Sequence, residues 1–225
     1  MPEVTKESQY QFLLELEKEG LEQLGLMSSQ VWRDDPRRLL FVLARYKFVA
    51  RMFAGMKRVL EVGCADAFGT RLVRQEVPEV VATDFDPAFI ARNAERADSR
   101  WNITFQVHDM MAGPLAGEFD GVYAVDVIEH IPAGQETVFM RNLVASLRPE
   151  GVCLLGTPSA QSQVYASPPS KAGHVNCKDA AGLRALLAAY FHNVFTFSMN
   201  DEVVHTGFPP MAHYLWGLGC HRKSA

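Results

Sequence analysis

The stretch RVLEVGCADAFGT, residues 58–70, constrains this chain more than any other. Arg58 to Val62 reads as a short buried strand, with Val59, Leu60 and Val62 as its apolar members. Gly63 ends it. A turn of small residues, Cys64, Ala65 and Ala67, then leads to a helix from about Phe68 to Val77. Strand, small-residue turn and helix make half of a nucleotide-binding βαβ unit. Small side chains let backbone N–H groups approach a ligand closely, and Glu61 brings a carboxylate to the strand end. Further on, VVATDFDP gives a second apolar strand ending in Asp84, placed to accept hydrogen bonds from both ribose hydroxyls of an adenosine ligand. A dinucleotide fingerprint has glycine at the first, third and sixth positions of the turn. Here those positions hold Gly63, Ala65 and Phe68. The bulky aromatic argues against a pyrophosphate and for an adenosine ligand without one.

The 225 residues fit one α/β domain with a short appendage. A net charge of -4, with no run of Lys or Arg, gives no electrostatic footprint for nucleic acid, so no nucleic-acid partner is expected. No apolar stretch approaches the ~20 residues that cross a bilayer. The N-terminal MPEVTKESQYQ lacks the apolar region of a signal peptide. Cys64, Cys153, Cys177 and Cys220 show no CxxC spacing and read as reduced thiols. A cytoplasmic protein without membrane insertion is the expectation.

Along the rest of the chain, residues 7 to about 26 read as a first helix carrying Phe12, Leu13 and Leu16, weakened by Gly20 and Gly25. A second helix takes Asp35 as N-cap and Pro36 as its first residue, with Leu39, Val42, Leu43, Tyr46, Val49, Ala50 and Phe53 at helical spacing. Residues 1–56 are thus expected to form a helical lid or brace on a domain of residues 57–225. Asp86-Pro87 opens another helix, and Asp179 caps one that buries Leu183, Leu186, Leu187 and Tyr190. Further strands are expected at about 102–107, 121–124, 152–156, 193–198 and 212–221, with a long loop over 157–178.

Five segments, VLEVGCADAFG, ATDFDP, VHDMMAG, FDGVYAVDVIEHIP and LRPEGVCLLGTPS, occur in order and register between about Lys57 and Ser159. Together they resemble the motifs of the class I S-adenosylmethionine-dependent methyltransferases. DVIEHIP and GTPS are most similar to the small-molecule branch, which modifies quinone precursors and sugars. The resemblance implies a Rossmann-like, seven-stranded, mostly parallel sheet with an antiparallel last strand and helices on both faces. It implies S-adenosylmethionine as cofactor and S-adenosylhomocysteine as product. The cofactor would lie on Glu61, Gly63, Cys64, Ala65, Asp84 and Asp126. Phe85 would pack on the adenosine, Asp109 would bond the adenine amino group, and Met110 would cover the ring. Arg45 and Tyr46 resemble a clamp on the cofactor's carboxylate, for which a planar guanidinium is suited. The family usually has glycine where this chain has Ala65, and often where it has Ala67.

In open parallel sheets ligands bind outside the carboxyl ends of the strands. The first five strands lead there to Cys64, Asp84, Asp109, Asp126 with His130, and the 157–178 loop. The family's topology brings the connection MNDEVVHTGFPPMAH to the same rim, with Asp201, Glu202, His205 and His213. A hydroxyl acceptor must lose its proton, and histidine is suited to take it near neutral pH. His130 and His174 are the leading candidates and His205 the third, with a purely structural histidine as the alternative for each. Tyr165, Lys171, Asn176, Asp201 and Glu202 are candidates to orient the acceptor. A zinc site from His174, Cys177, His205 and His213 finds no paired spacing, so no metal is expected. The expected function is methyl transfer to an oxygen of a small polar acceptor, such as a sugar or a nucleotide-linked, polysaccharide or secondary-metabolite intermediate, by a monomer or homodimer. The alternatives are a nitrogen acceptor, or a non-catalytic cofactor-binding scaffold of the same fold.

Overall fold

A computed structural model of the chain describes residues 4–224; residues 1–3 and 225, the outer ends of the two expected segments, lie outside the described residues. Three helices come first: α1 (Gln11–Glu19), α2 (Leu26–Asp34) and α3 (Arg37–Met52). The helix expected over 7–26 stops at Gly20, whose φ of +100° ends it, and α2 is an additional helix. Asp35 sits one place outside the expected cap: Pro36 holds the N-cap position of α3, and Asp35 accepts from the Arg37 amide at 3.3 Å. Phe12, Leu13 and Leu16 of α1 are exposed, whereas Tyr46, Val49 and Ala50 of α3 are buried against the sheet. The third helix is therefore part of the core, and the sequence boundary at residue 56 falls within a packed layer.

The remaining elements alternate as a doubly wound fold does: β1 (Arg58–Val62), α4 (Thr70–Glu76), β2 (Glu79–Asp84), α5 (Pro87–Glu95), β3 (Ile103–Val107), β4 (Phe119–Val125), α6 (Glu136–Ala145) and β5 (Leu147–Pro158). Then come α7 (Pro168–Gly173), α8 (Ala180–Ala188), β6 (Phe191–Asn200), β7 (Val203–His205) and β8 (Tyr214–Arg222). The sheet has eight strands in the order β3-β2-β1-β4-β5-β8-β6-β7, one more than expected, because β7 adds to the edge beyond β6. Strands β1 to β5 pair in parallel; β8 runs antiparallel to both β5 and β6. Chain order reverses between β1 and β4, the switch point where a crevice opens.

Both sheet faces are covered over the central strands, so β1, β2 and β4 are buried along nearly their whole length, whereas the edge strand β3 is half-exposed. On one face Leu60, Val122 and Leu155 meet Phe139, Met140 and Leu143 of α6 and Leu183 and Leu187 of α8. On the other, Val59, Tyr123, Leu154 and Trp216 meet Tyr46, Val49 and Phe53 together with Val73 of α4. The expected caps of α5 and α8 form: Asp86 accepts from Ala88 and Asp179 from Gly182.

The 157–178 segment is not an irregular loop. It holds a 3-10 turn (Ala160–Tyr165) and α7, and its neck is closed where Ser159 bridges Lys178 in parallel. Among the described residues, no helix is long and apolar enough to cross a membrane.

Candidate active site

The turn after β1 is held from below by β2. The Gly63 and Cys64 amides both donate to the Thr83 carbonyl, at 2.8 and 2.9 Å. Gly63, Ala65 and Ala67 all adopt left-handed backbone, with φ of +76°, +46° and +52°. The two alanines thus keep the conformation that glycine adopts freely, at a cost of about 1–2 kcal/mol each. Asp84 locks this geometry. One oxygen accepts from the Ala65 amide and the other from the Asp86 amide, both at 2.9 Å. A carboxylate oxygen has two lone pairs, so Asp84 keeps capacity for ribose hydroxyls. Asn93 completes the turn by donating to the Ala65 carbonyl at 2.7 Å.

Glu61 is fully buried and fully used. It accepts from Tyr46 Oη at 2.7 Å, Thr70 Oγ1 at 2.6 Å and Tyr123 Oη at 2.9 Å. Burial pushes its carboxyl above the usual range, and the three donors oppose that. Its part is to fasten α3 and α4 to the strand end, and through Tyr46 it positions the neighbouring Arg45. Asp66 makes a second tie: its carboxylate accepts from the Ser28 amide at 2.8 Å, at the start of α2. A carboxylate there also favours the positive helix end. Sequence reasoning missed Asp66 and Asn93. The available signal was a polar residue inside an otherwise small and apolar turn.

Arg45 reaches from α3 across the crevice. Its guanidinium donates to Asp126 Oδ2 at 2.6 Å and lies 4.0 Å from the Tyr214 ring centroid. Asp126 follows β4 in left-handed backbone, φ +58°, with its amide on the Gly156 carbonyl. The remaining expected cofactor residues divide. Phe85 is exposed beyond β2 and free to pack on a ligand. Asp109 is also exposed, with Oδ1 accepting from the Met111 amide at 2.8 Å. Met110 departs from the expectation: its side chain is buried in the core, and its carbonyl accepts from Asn142. The residue beside Asp109 packs into the core rather than standing open in the crevice.

A different kind of site lies at the ends of β4 and β5. Glu129 is fully buried; Oε2 accepts from Thr157 Oγ1 at 3.1 Å, while Oε1 has no hydrogen-bond partner. Burial, then the nearby Asp126 charge, pushes its carboxyl up to about 8. Its backbone carbonyl accepts from the Val175 and Asn176 amides, both at 2.9 Å, and so pins the end of the 157–178 segment to β4. That clip brings His174 to His130, with ring centroids 5.2 Å apart. His130 Nδ1 lies 2.9 Å from the Gly173 carbonyl and His174 Nδ1 lies 2.8 Å from Gln163 Oε1. Both partners are acceptors, so each Nδ1 carries the proton and each Nε2 of the neutral ring offers a lone pair. Burial, then the adjoining His130, lowers the His174 pKa. Arg45 Nε, Asp126 Oδ1 and Tyr214 Oη are also buried there without a well-formed hydrogen bond.

The other expected acceptor residues are placed differently. Asn176 is fully engaged, donating to Ile131 and Glu136 and accepting from Lys178. Tyr165 is almost wholly exposed on the segment's outer surface, and Lys171 Nζ donates to the Val164 carbonyl at 3.2 Å. His205 uses both nitrogens, Nε2–H to Asn200 Oδ1 and Nδ1 from the Gly207 amide, each at 2.9 Å, which leaves no lone pair for a base. Asp201 and Glu202 form the exposed β6–β7 turn. This edge lies four strand positions from β4, about 19 Å at a spacing of about 4.8 Å. Of the three histidines, the fold brings together His130 and His174 and not His205. Sequence reasoning missed Glu129 as a member of the site, although it stands inside the quoted DVIEHIP.

Residues 59–151 match the family model described as Methyltransferase domain. A ubiquinone biosynthesis O-methyltransferase of Xanthomonas axonopodis pv. citri (strain 306) is 26% identical over 153 residues, which are 65% of this chain and 63% of that relative. A namesake from Psychrobacter arcticus is 24% identical over 140 residues, 60% of this chain and 53% of that relative. The chain thus spans less than two thirds of the length of the curated relatives it matches. Among solved structures, the N-methyltransferase NodS from Bradyrhizobium japonicum WM9 in complex with S-adenosylhomocysteine superposes with a TM-score of 0.59 at 19% identity, covering 86% of this chain and 92% of NodS. Residues 59–151 thus match a methyltransferase domain, and the fold and motif order are similar to those of the class I S-adenosylmethionine-dependent methyltransferases.

Proposed function

We propose that this protein transfers the methyl group of S-adenosylmethionine to an oxygen of a small polar acceptor. The observation that carries the oxygen reading is the His130–His174 pair, each ring anchored through Nδ1 and offering Nε2 at the end of β4. A neutral amine needs no base to be methylated, whereas a hydroxyl must give up a proton. Two oriented imidazoles beside the switch point suit the second case. The O-methyltransferase names of the curated relatives agree with it.

Within this reading Asp84 accepts the ribose hydroxyls, the left-handed turn from Gly63 to Ala67 lies against the adenosine, and Arg45 exchanges Asp126 for the cofactor's carboxylate. Phe85 and Asp109 take the adenine side. S-adenosylmethionine supplies an electrophilic sulfonium methyl, and the protein supplies alignment and exclusion of water. The oxygen lone pair forms the new bond to the methyl carbon, the carbon–sulfur pair stays on sulfur, and the hydroxyl proton goes to an imidazole.

The test is formation of S-adenosylhomocysteine by the purified protein with matched hydroxyl and amine acceptors. Turnover of hydroxyl acceptors that falls at least tenfold in His130→Gln or His174→Gln is expected. Amine turnover that survives both substitutions would replace the oxygen reading with nitrogen methylation.

A further inference from the structure

The cluster at the end of β4 carries more than a base requires. We propose that Glu129, His130 and His174 bind one divalent transition-metal ion of the zinc class, with a further coordination position open to the acceptor's oxygen. The role assigned to the ion rests on the methyl-transfer reading; the site itself does not.

Glu129, His130 and His174 each offer one candidate ligand atom, and these atoms all lie within 4.8 Å of one another. Tetrahedral ligands at about 2.0–2.1 Å from zinc stand about 3.3 Å apart, so the three side chains would draw in slightly to close on an ion. Each group is also supported from behind. Metal-bound histidine typically donates its other ring N–H to a carbonyl or carboxylate, which fixes the tautomer and the ring. Here the Gly173 carbonyl and Gln163 Oε1 do that for the two imidazoles, and Thr157 holds the far oxygen of Glu129.

The second observation is Glu129 Oε1 itself. It is an acceptor in a fully buried side chain, and no donor meets it. An unpaired buried carboxylate oxygen is costly. Asp126 adds a second carboxylate nearby, and Arg45 is already paired to it. A cation between Glu129 and the imidazoles would satisfy the unmet oxygen and offset the charge.

The donor set decides the class of ion. Two imidazole nitrogens and one carboxylate oxygen suit zinc and neighbouring transition metals, whereas magnesium and calcium prefer oxygen ligands. Three protein ligands leave a position open, as in catalytic rather than structural zinc sites. The exposed His130 places that side toward solvent. Coordination lowers the pKa of zinc-bound water from 15.7 to about 7. An acceptor hydroxyl on the ion would be activated in the same sense. With the ion bound, the imidazole lone pairs that would take the proton in the metal-free protein are spent on the metal, so the proton goes to solvent water; the oxygen bonds to the methyl carbon, and the carbon–sulfur pair stays on sulfur.

The experiment strips the protein with a chelator and titrates zinc or cobalt(II) into it, with S-adenosylmethionine-dependent thermal stabilisation as the control for folding. One equivalent of tight binding is expected, with the strong visible absorption of tetrahedral cobalt(II). His130→Ala, His174→Ala and Glu129→Ala should each weaken it at least 100-fold, and Gln163→Ala about 10–100-fold. Cys177→Ser should leave it unchanged. Absence of binding, binding that survives His130→Ala/His174→Ala together, or binding lost in Cys177→Ser overturns the site. Turnover lost on chelation and restored by zinc supports the assigned role, and turnover indifferent to chelation overturns it. If zinc binds as expected while no acceptor yields S-adenosylhomocysteine, the site stands and the methyl-transfer reading falls.

Discussion

At the ends of β1 and β2 the carboxylates of Glu61, Asp66 and Asp84 are held through both oxygens. At the ends of β4 and β5, Glu129 and Asp126 each keep one buried oxygen without a well-formed hydrogen bond. On the first side of the crevice each of these carboxylates is engaged by the fold itself. That side presents backbone amides and a locked turn, which suits a ligand whose adenosine shape does not vary. The second side carries unspent hydrogen-bonding capacity. The contrast separates a preorganised half from a half finished by its ligand.

The largest expected effect tests this directly. Glu61→Ala strands three buried donors and should cost roughly 3–5 kcal/mol in urea unfolding. Glu129→Gln in chelated protein at pH 7 should change stability by about 1 kcal/mol or less, since Oε1 loses nothing. Equal costs would erase the contrast. Next, Arg45→Met should weaken S-adenosylmethionine binding about 10–100-fold by calorimetry, from loss of a charge-assisted contact worth about 1.5–3 kcal/mol. Unchanged affinity would leave Arg45 as a partner of Asp126 alone. Smaller again, Ala65→Gly and Ala67→Gly should each relieve left-handed strain and stabilise by about 0.5–1 kcal/mol, raising Tm by about 1–4 °C. A loss of stability from either would mean that the alanine methyl contributes more packing than strain. The smallest effect is His205→Gln, expected to leave turnover within about twofold because both ring nitrogens serve the β6–β7 edge. A tenfold loss would move the reactive end toward that edge.

What could be read beforehand follows the same division. The strand β1, the Asp86–Pro87 start of α5 and the Asp179 cap of α8 are specified by residues close together in sequence, and each formed as expected. The helix α2 was hidden because Gly20 and Gly25 read as weak points within one helix. In fact Gly20 ends α1, and Gly25 passes so close to Asp66 that a Cβ would lie 2.2 Å from the Asp66 Cβ. Strand β7 spans three residues and carries little periodic signal. The pairing of His130 with His174 depends on two backbone carbonyls, those of Glu129 and Gly173, and no pattern of residue types announces such contacts. The core packing of Met110 was not legible, because an apolar residue beside an exposed carboxylate can face a ligand or the core until the packing is known.

The neck of the 157–178 segment has an evolutionary consequence. Ser159 and Lys178 close it on one side, with Ala160 donating to the Lys178 carbonyl at 2.8 Å, and Glu129 clips its far end through backbone alone. Such an enclosure behaves as an interchangeable cassette: its interior can be rewritten, lengthened or replaced while the sheet beneath keeps every pairing. Under the proposed function, a change of acceptor would then require exchange of one short stretch of chain, with the turn after β1 and Asp84 left as they are.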